Sequence, residues 1–168
     1  MIGELLDSKG CNAILVVVDR LSKQIHAIPT VTSLDSTGVA QLFLEHIWHH
    51  HGLLEEVISN HRSAFVSNFS RKLTALLGVK LTPSTSYHPQ TDGQTEHVNQ
   101  EIEAYLWVFM SHRQDDWADW LLLAEFAYNN KVHTATCRTL FELDTRQHPH
   151  LGVEPTRTST VEAADAFA

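Results

Sequence analysis

The feature that most constrains the fold of this chain is an uninterrupted apolar run between Asn12 and Asp19. Within it, Ile14 and Leu15 are followed by three successive valines, so polar and apolar residues do not alternate. A strand of this kind is typical of a sheet that is covered on both faces. The run therefore predicts a buried strand of an α/β domain.

The rest of the chain alternates predicted strands and helices within one domain that extends to about residue 150. Helix starts are predicted from capping residues followed by apolar positions at helical spacing, and helix ends from glycines. The predicted strands are Asn12–Asp19, Gln24–Val31 (peripheral, with Pro29), Glu56–Ser59 and Val79–Thr82, and the predicted helices begin at Asp35 or Ser36 (ending at Gly52), at Ser67 (ending at Gly78), at Glu96 (to His112) and at Asp116. Residues 151–168 are predicted to be a linker or tail.

Composition excludes several classes of protein. The chain has 168 residues, of which 43% are hydrophobic, and no apolar run approaches the roughly 20 residues of a membrane span. Two cysteines, Cys11 and Cys137, cannot build a disulfide framework, so we expect a reducing compartment and no membrane association. A net charge of −8 is the wrong sign for a strong stand-alone binder of nucleic acid. We therefore expect this chain alone to bind DNA weakly.

The segment Tyr87–Gln100 carries the strongest functional signal. It places Glu96 at the start of an amphipathic helix, directly after a polar loop that contains Gly93. Asn60 ends a short apolar run, and 35 residues separate it from Glu96. This arrangement resembles the second half of the Asp, Asp-35-Glu site of retroviral-type integrases, and is most similar to the integrase core of gypsy-class LTR retrotransposons. The resemblance covers the chain to about His150.

The resemblance implies a ribonuclease H-like α/β fold, a mixed sheet flanked by helices. It implies transfer of element DNA into target DNA at a two-metal centre of Mg²⁺ or Mn²⁺ held by three carboxylates. It also implies a nuclear location, DNA as partner and a possible homodimer. Glu96 then corresponds to the third metal ligand and Asn60 to the second. The residues that the resemblance places against DNA are His88, Gln90, Thr91, Gln94 and Asn99.

Two departures from the family pattern predict an impaired copy, and leave open whether it is an enzyme. Position 60 holds a neutral amide where the family has an aspartate. The first ligand of the family lies on a strand of which Met1–Leu6 matches only the tail, so the first strand is predicted to be largely missing and the stability marginal. The alternative is a non-catalytic module for nucleic-acid binding or dimerisation. A third possibility is a nuclease that uses Asp19, Asp92 or Glu103 with Glu96.

Other polar groups favour structural roles. Asp19 closes the valine-rich strand, and a turn role is favoured over metal ligation. Asp92 lies in a predicted Thr91-Asp92-Gly93 turn, and a turn role and a DNA contact remain equally open. His46 and His50 have the spacing of a zinc pair on a helix, but no further ligand motif accompanies them, so a helix-end histidine group is favoured.

A further set of departures shares one direction of change. Leucine stands where the gypsy-type pattern has proline, histidine or tryptophan where it has arginine, and arginine where it has glycine. Each change is reachable by a single C-to-T or G-to-A transition, and we infer a decaying element copy. The positions are Leu6, Leu54, Leu122, Leu140, His61, His97, Trp107, His150, Arg62 and Arg146.

Overall fold

A computed structural model describes residues 1–52, 56–57, 63–78, 84–85, 89–133, 137–147 and 149, without the side chains of 56–57, 63–66, 84–85 and 89–94. Strands and helices alternate along the described chain. The elements are β1 (Ala13–Val18), β2 (Ile25–Thr30), α1 (Ser36–Phe43), a π-helical turn (Leu44–Trp48), α2 (His49–His51), β3 (Glu56–Val57), α3 (Ser63–Leu77), β4 (Ser84–Thr85), α4 (Pro89–Phe109), α5 (Trp117–Asn129), β5 (Val132–His133), β6 (Arg138–Thr139) and α6 (Leu140–Thr145).

The predicted central strand is confirmed as β1. It pairs antiparallel with β2 in a register that places Ala13 opposite Thr30 and Val18 opposite Ile25. On its other side, Ile14 forms an antiparallel bridge with Ile2, and their N–H and C=O groups exchange hydrogen bonds of 2.8 and 2.9 Å. Met1–Leu6 was predicted to match the tail of a strand, and Ile2 is the residue through which this segment pairs with β1.

Helices cover β1 on both faces, as its composition predicts. Ile14 and Val16 face one hydrophobic cluster, to which α4 contributes Ile102 and α5 contributes Leu121. Leu15 and Val17 alternate to the opposite face and pack against a second cluster. This second cluster is built mainly from α1 and α3: Ile28, Ala40, Phe43, Ile47, Phe69 and Leu73. The result is a helix–sheet–helix arrangement in which the strand buries both of its faces.

The outer edge of β2 is closed by side chains of α5. The backbone N–H of Ile25 faces outward and donates to Asn129 Oδ1 at 2.9 Å. In return, Asn129 Nδ2 donates to the C=O of Ile25, also at 2.9 Å. One turn earlier, Glu125 accepts the N–H of Ala27 at 2.9 Å. Pro29, the next outward-facing residue, has no N–H to satisfy. An edge that could pair with another chain is thereby blocked without a further strand.

Most helix ends fall where the capping residues predict. Asp35 caps α1, accepting the N–H of Gly38 at 2.8 Å. Gly52 and Gly78 follow α2 and α3 with φ of 75° and 67°, which glycine adopts at little cost. The structure begins α3 at Ser63, four residues before the predicted Ser67, and contains an unpredicted π-helical turn. The predicted strand Val79–Thr82 and residues 151–168 lie outside the described residues, so the domain boundary stays a prediction.

Among the described helices, none combines the length and the apolar character needed to cross a bilayer.

Arg146, one of the positions at which the family pattern has glycine, ends α6 with a left-handed φ of 59°. A side chain in this conformation costs on the order of 1 kcal/mol relative to glycine. We expect Arg146→Gly to raise the free energy of unfolding by about 1 kcal/mol in a urea titration. Arg146→Ala is the matched control, because it removes the guanidinium but keeps Cβ. Equal stabilisation by alanine would contradict the conformational explanation.

Candidate functional site

Two short parallel strands, β3 and β4, come shortly before the candidate positions along the chain. β3 and β4 pair in parallel, with Glu56 opposite Ser84 and Val57 opposite Thr85. Parallel strands point their carboxyl ends to the same edge, where ligand sites of α/β folds form. Position 60 follows β3 by three residues, and α4 begins four residues after β4. Asn60 and His88 themselves lie outside the described residues.

Glu96 lies on the solvent face of α4. Its side chain is exposed, as are those of Gln100 and Glu103, which follow at helical spacing on the same side. The opposite face is the predicted core face, on which Val98 and Ile102 are buried. Among the described residues, Glu96 makes no ion pair, so its carboxylate oxygens are open to a cation. The prediction of an amphipathic helix that carries Glu96 outward is confirmed.

The predicted start of this helix is wrong. The polar loop and the Thr91-Asp92-Gly93 turn were expected to precede Glu96, but α4 begins at Pro89. Proline suits the first position of a helix, where its missing N–H would have no partner, and Gly93 costs only about 1 kcal/mol inside one. Glu96 therefore stands about 10 Å along the helix axis from its start, rather than at its mouth.

The proposed DNA-contacting residues fall on this same helix. Gln90, Thr91 and Gln94 have helical backbone in its first two turns, and their side chains are outside what the structure describes. Asn99 lies one turn after Glu96, half-buried, and its Oδ1 has no hydrogen-bond partner among the described residues. A buried amide oxygen without a donor is costly, and Asn99 shares this property with Gln24, Ser70 and Asn130.

Asp19 serves a turn, as predicted. Its carboxylate accepts the backbone N–H of Leu21 at 3.2 Å and that of Ser22 at 2.8 Å, and also the Ser22 hydroxyl. Partial burial would raise the pKa of Asp19, but the bonds from Ser22 and Leu21 more than offset it and hold this pKa below its usual value. With its oxygens engaged in the β1–β2 turn, Asp19 is a poor substitute ligand.

The zinc pair considered for His46 and His50 is not supported. His46 lies within the π-helical turn Leu44–Trp48 and His50 lies in α2 after it, and both side chains are exposed. Among the residues that the structure describes, no group of three His, Cys, Asp or Glu side chains could hold a metal ion. The helix-end histidine interpretation holds, with His49, His50 and His51 all exposed.

Sequence reasoning missed three polar residues that the fold brings together. His26 on β2 lies between Glu125 of α5 and His51 of α2, with its Nδ1 3.2 Å from Glu125 Oε1 and its Nε2 2.9 Å from His51 Nε2. The only sequence signal is a histidine inside an otherwise apolar strand. Its partners are 99 and 25 residues away, beyond any local pattern.

Comparison with solved structures defines the class of protein. The fold matches the magnesium-bound catalytic core domain of HTLV-2 integrase in its trimeric form, with a TM-score of 0.61 and 16% sequence identity over 86% of this chain and 98% of that one. It also matches the catalytic core domain of BIV integrase, with a TM-score of 0.60 and 21% identity over 84% and 90% of the two chains. The chain thus has the ribonuclease H-like fold of integrase catalytic cores.

Sequence comparison gives the more particular family. Over 147 residues, 88% of this chain, it is 35% identical to the Tf2-3 and Tf2-4 transposon polyproteins of Schizosaccharomyces pombe. The chain belongs to the integrase catalytic cores of LTR retrotransposons. It spans 11% of the length of those polyproteins. No family model matches the chain.

Proposed function

We propose that this chain is the core of a gypsy-class integrase whose ancestral reaction is transfer of element DNA into target DNA, and that this copy is impaired. The observation that carries the proposal is Glu96. It projects from the solvent face of α4, and among the described residues its carboxylate makes no ion pair. The partner position 60 carries a neutral amide, so the set of acids is incomplete.

The chain's donors fit a pair of divalent cations poorly. Bound Mg²⁺ or Mn²⁺ would activate the attacking hydroxyl and stabilise the leaving oxygen, and three carboxylates are needed to balance their charge. Glu96 supplies one, and Asn60 can offer only an uncharged oxygen. Asn99 could add a second neutral oxygen from the same helix. We therefore propose that Glu96 holds at most one weakly bound cation.

DNA is the proposed partner, and the nucleus the proposed location, by relationship to the family. The polar residues of early α4, together with Asn99, would meet the substrate. The net negative charge opposes tight DNA binding, because the chain has twenty acidic side chains and twelve basic ones. Phosphate contacts depend on lysine and arginine. We accordingly propose weak DNA binding that further regions of a longer integrase would strengthen.

A metal titration tests the impaired centre. In isothermal titration with MnCl₂, we expect this chain to bind at most one ion, with millimolar affinity, and to lose that binding in Glu96→Gln. The matched control is Glu103→Gln, an exposed glutamate two turns further along α4, which should leave the titration unchanged. Two tightly bound ions, or plasmid nicking that disappears in Glu96→Gln, would show that the centre is intact.

A second candidate function, dimerisation, has an observation of its own. A groove of about 760 Å³ between α4 and α5 is lined by apolar residues that include Tyr105, Val108 and Phe109. The Val108 side chain is 75% exposed, and Leu122 on α5 is 76% exposed. The HTLV-2 core is known in both trimeric and dimeric forms. A second copy of this chain is the proposed occupant.

Sedimentation equilibrium tests the dimer. We expect Val108→Glu to weaken self-association at least tenfold, because a buried unpaired carboxylate would replace an apolar contact. Leu21→Glu is the control, since Leu21 is 92% exposed in the β1–β2 turn and away from α4. An unchanged dimer in Val108→Glu would rule out this groove as the interface.

A further inference from the structure

The contact between His26 and His51 has a property that depends on protons. Their two Nε2 atoms are 2.9 Å apart, so one must donate and the other must accept. The contact can therefore form between two neutral rings, or between one neutral ring and one imidazolium. Two imidazolium rings would place two N–H groups against each other and break the contact.

Groups from α5, from α2 itself and from the end of β1 surround this pair. Glu125 of α5 bonds to His26 Nδ1, and both side chains are about four-fifths buried, with exposed fractions of 20% and 21%. The ring of His50 lies parallel to that of His26, with centroids 6.4 Å apart. Asp19, at the end of β1, acts electrostatically on His51. A further positive charge on this pair would lie close to these other imidazole rings.

The other histidines show that this patch resists positive charge. The rings of His49 and His50 are tilted by 43° to each other, with centroids 3.8 Å apart. The pKa of His50 is lowered, first by loss of hydration and then by the charges of His49, His26 and His51. Adding protons to the patch therefore accumulates like charges within a few ångströms, in the pH range where imidazoles titrate.

From this geometry we propose that His26 and His51 form a proton-sensitive clasp that fastens the end of α2 to strand β2 and opens on acidification. The clasp lies where the connection from α2 to β3 begins. α2 ends at His51, and Gly52 begins the connection to β3, the strand that precedes position 60. Opening the clasp would release the start of that connection. The inference rests on the contact itself and does not depend on the proposed function.

The sign of the effect follows from proton counting. The closed pair holds at most one proton, whereas the open pair can hold two, so the open state binds more protons at low pH. Each pH unit below the titration of the freed ring should raise the opening equilibrium up to about tenfold. Asp19, the carboxylate that acts on His51, stays charged through this range: partial burial would raise its pKa, but the bonds from Ser22 and Leu21 hold it below its usual value.

Hydrogen exchange of the full chain between pH 5 and 8 tests the clasp. After correction for intrinsic rates, we expect protection of the amides of residues 49–52 to fall by up to about tenfold per pH unit on the acidic side of this range. His51→Asn keeps a donor and an acceptor but does not titrate, and should remove this dependence. His112→Asn is the control, because His112 is exposed in the turn after α4.

Nitrogen NMR of the imidazoles provides a second measurement that needs no variant. At pH 7.5 we expect one facing Nε2 to be protonated and the other bare, with a scalar coupling between them. Two rings that take up protons independently, with no loss of protection, would overturn the proposal. The proposal would also be overturned if EDTA removed the amide protection and ZnCl₂ restored it, because a metal ion would then bridge the rings in place of a proton.

Discussion

Asn60→Asp, combined with an upstream strand that supplies a second aspartate, is expected to create Mn²⁺-dependent cleavage and strand transfer at least a hundredfold above the unmodified chain. The reason is electrostatic. A carboxylate about 4 Å from a divalent ion gains roughly 8 kcal/mol at an effective dielectric of 20, before desolvation is subtracted. Even a quarter of this energy changes metal occupancy more than tenfold, and the altered protein presents two more carboxylates than this chain.

The measurement is strand transfer of a labelled oligonucleotide that carries the element end. Adding Glu96→Gln to the restored protein should abolish the activity, whereas Glu103→Gln should leave it within a fewfold. Each protein is first checked for a cooperative thermal transition, so that misfolding is not mistaken for inactivity. A restored, folded protein that still fails to transfer strands would show that the cause of impairment is not the lost acids. Activity in the unmodified chain that survives Glu96→Gln would point to other carboxylates.

Asn129→Leu is expected to destabilise the domain by about 2–5 kcal/mol, enough to unfold much of a marginal protein. Asn129 is 1% exposed and donates to and accepts from the backbone of Ile25. Leucine has a similar volume, so the packing is largely kept, but the N–H and C=O of Ile25 lose their partners. Burying each unsatisfied group costs about 1–3 kcal/mol. Chemical denaturation followed by tryptophan fluorescence measures the loss.

The neighbouring asparagine provides the control. Asn130 has a buried Oδ1 with no hydrogen-bond partner among the described residues. Asn130→Leu therefore gives up no bond of that oxygen, and we expect a change below about 1 kcal/mol. Equal losses in the two variants would mean that helix propensity or packing, rather than the edge of β2, sets the cost. The same experiment tests whether the domain is marginally stable, as its sequence predicts.

Local patterns predicted much of the fold. The unbroken apolar run gave β1 with two buried faces, and Asp35, Gly52 and Gly78 marked helix ends, because caps and glycine conformations act within a few residues. Arg146 was identified as a glycine-like position by resemblance, and its left-handed backbone agrees. The start of α4 was missed because Thr91-Asp92-Gly93 has the composition of a turn, although the helix continues through it.

The candidate site was predicted less completely. Glu96 was placed correctly on the solvent face of its helix, because periodicity fixes which side a residue takes. The turn role of Asp19 was also predicted, and its carboxylate accepts the N–H groups of Leu21 and Ser22. Asn60 and His88 stay predictions of the resemblance. No pattern indicated that His26 would meet Glu125 and His51, since those contacts join residues far apart in the chain.

The sequence by itself determined the layered α/β domain, the outward carboxylate of Glu96 and the neutral amide at position 60, because hydrophobic period and residue identity are local properties. Only the tertiary structure decided how the edge of β2 is closed and which imidazoles meet. The edge contacts arise when α5 packs against β2, about 100 residues away, and the His26–His51 contact joins residues 25 apart. Both depend on ångström-scale geometry that side-chain spacing does not encode.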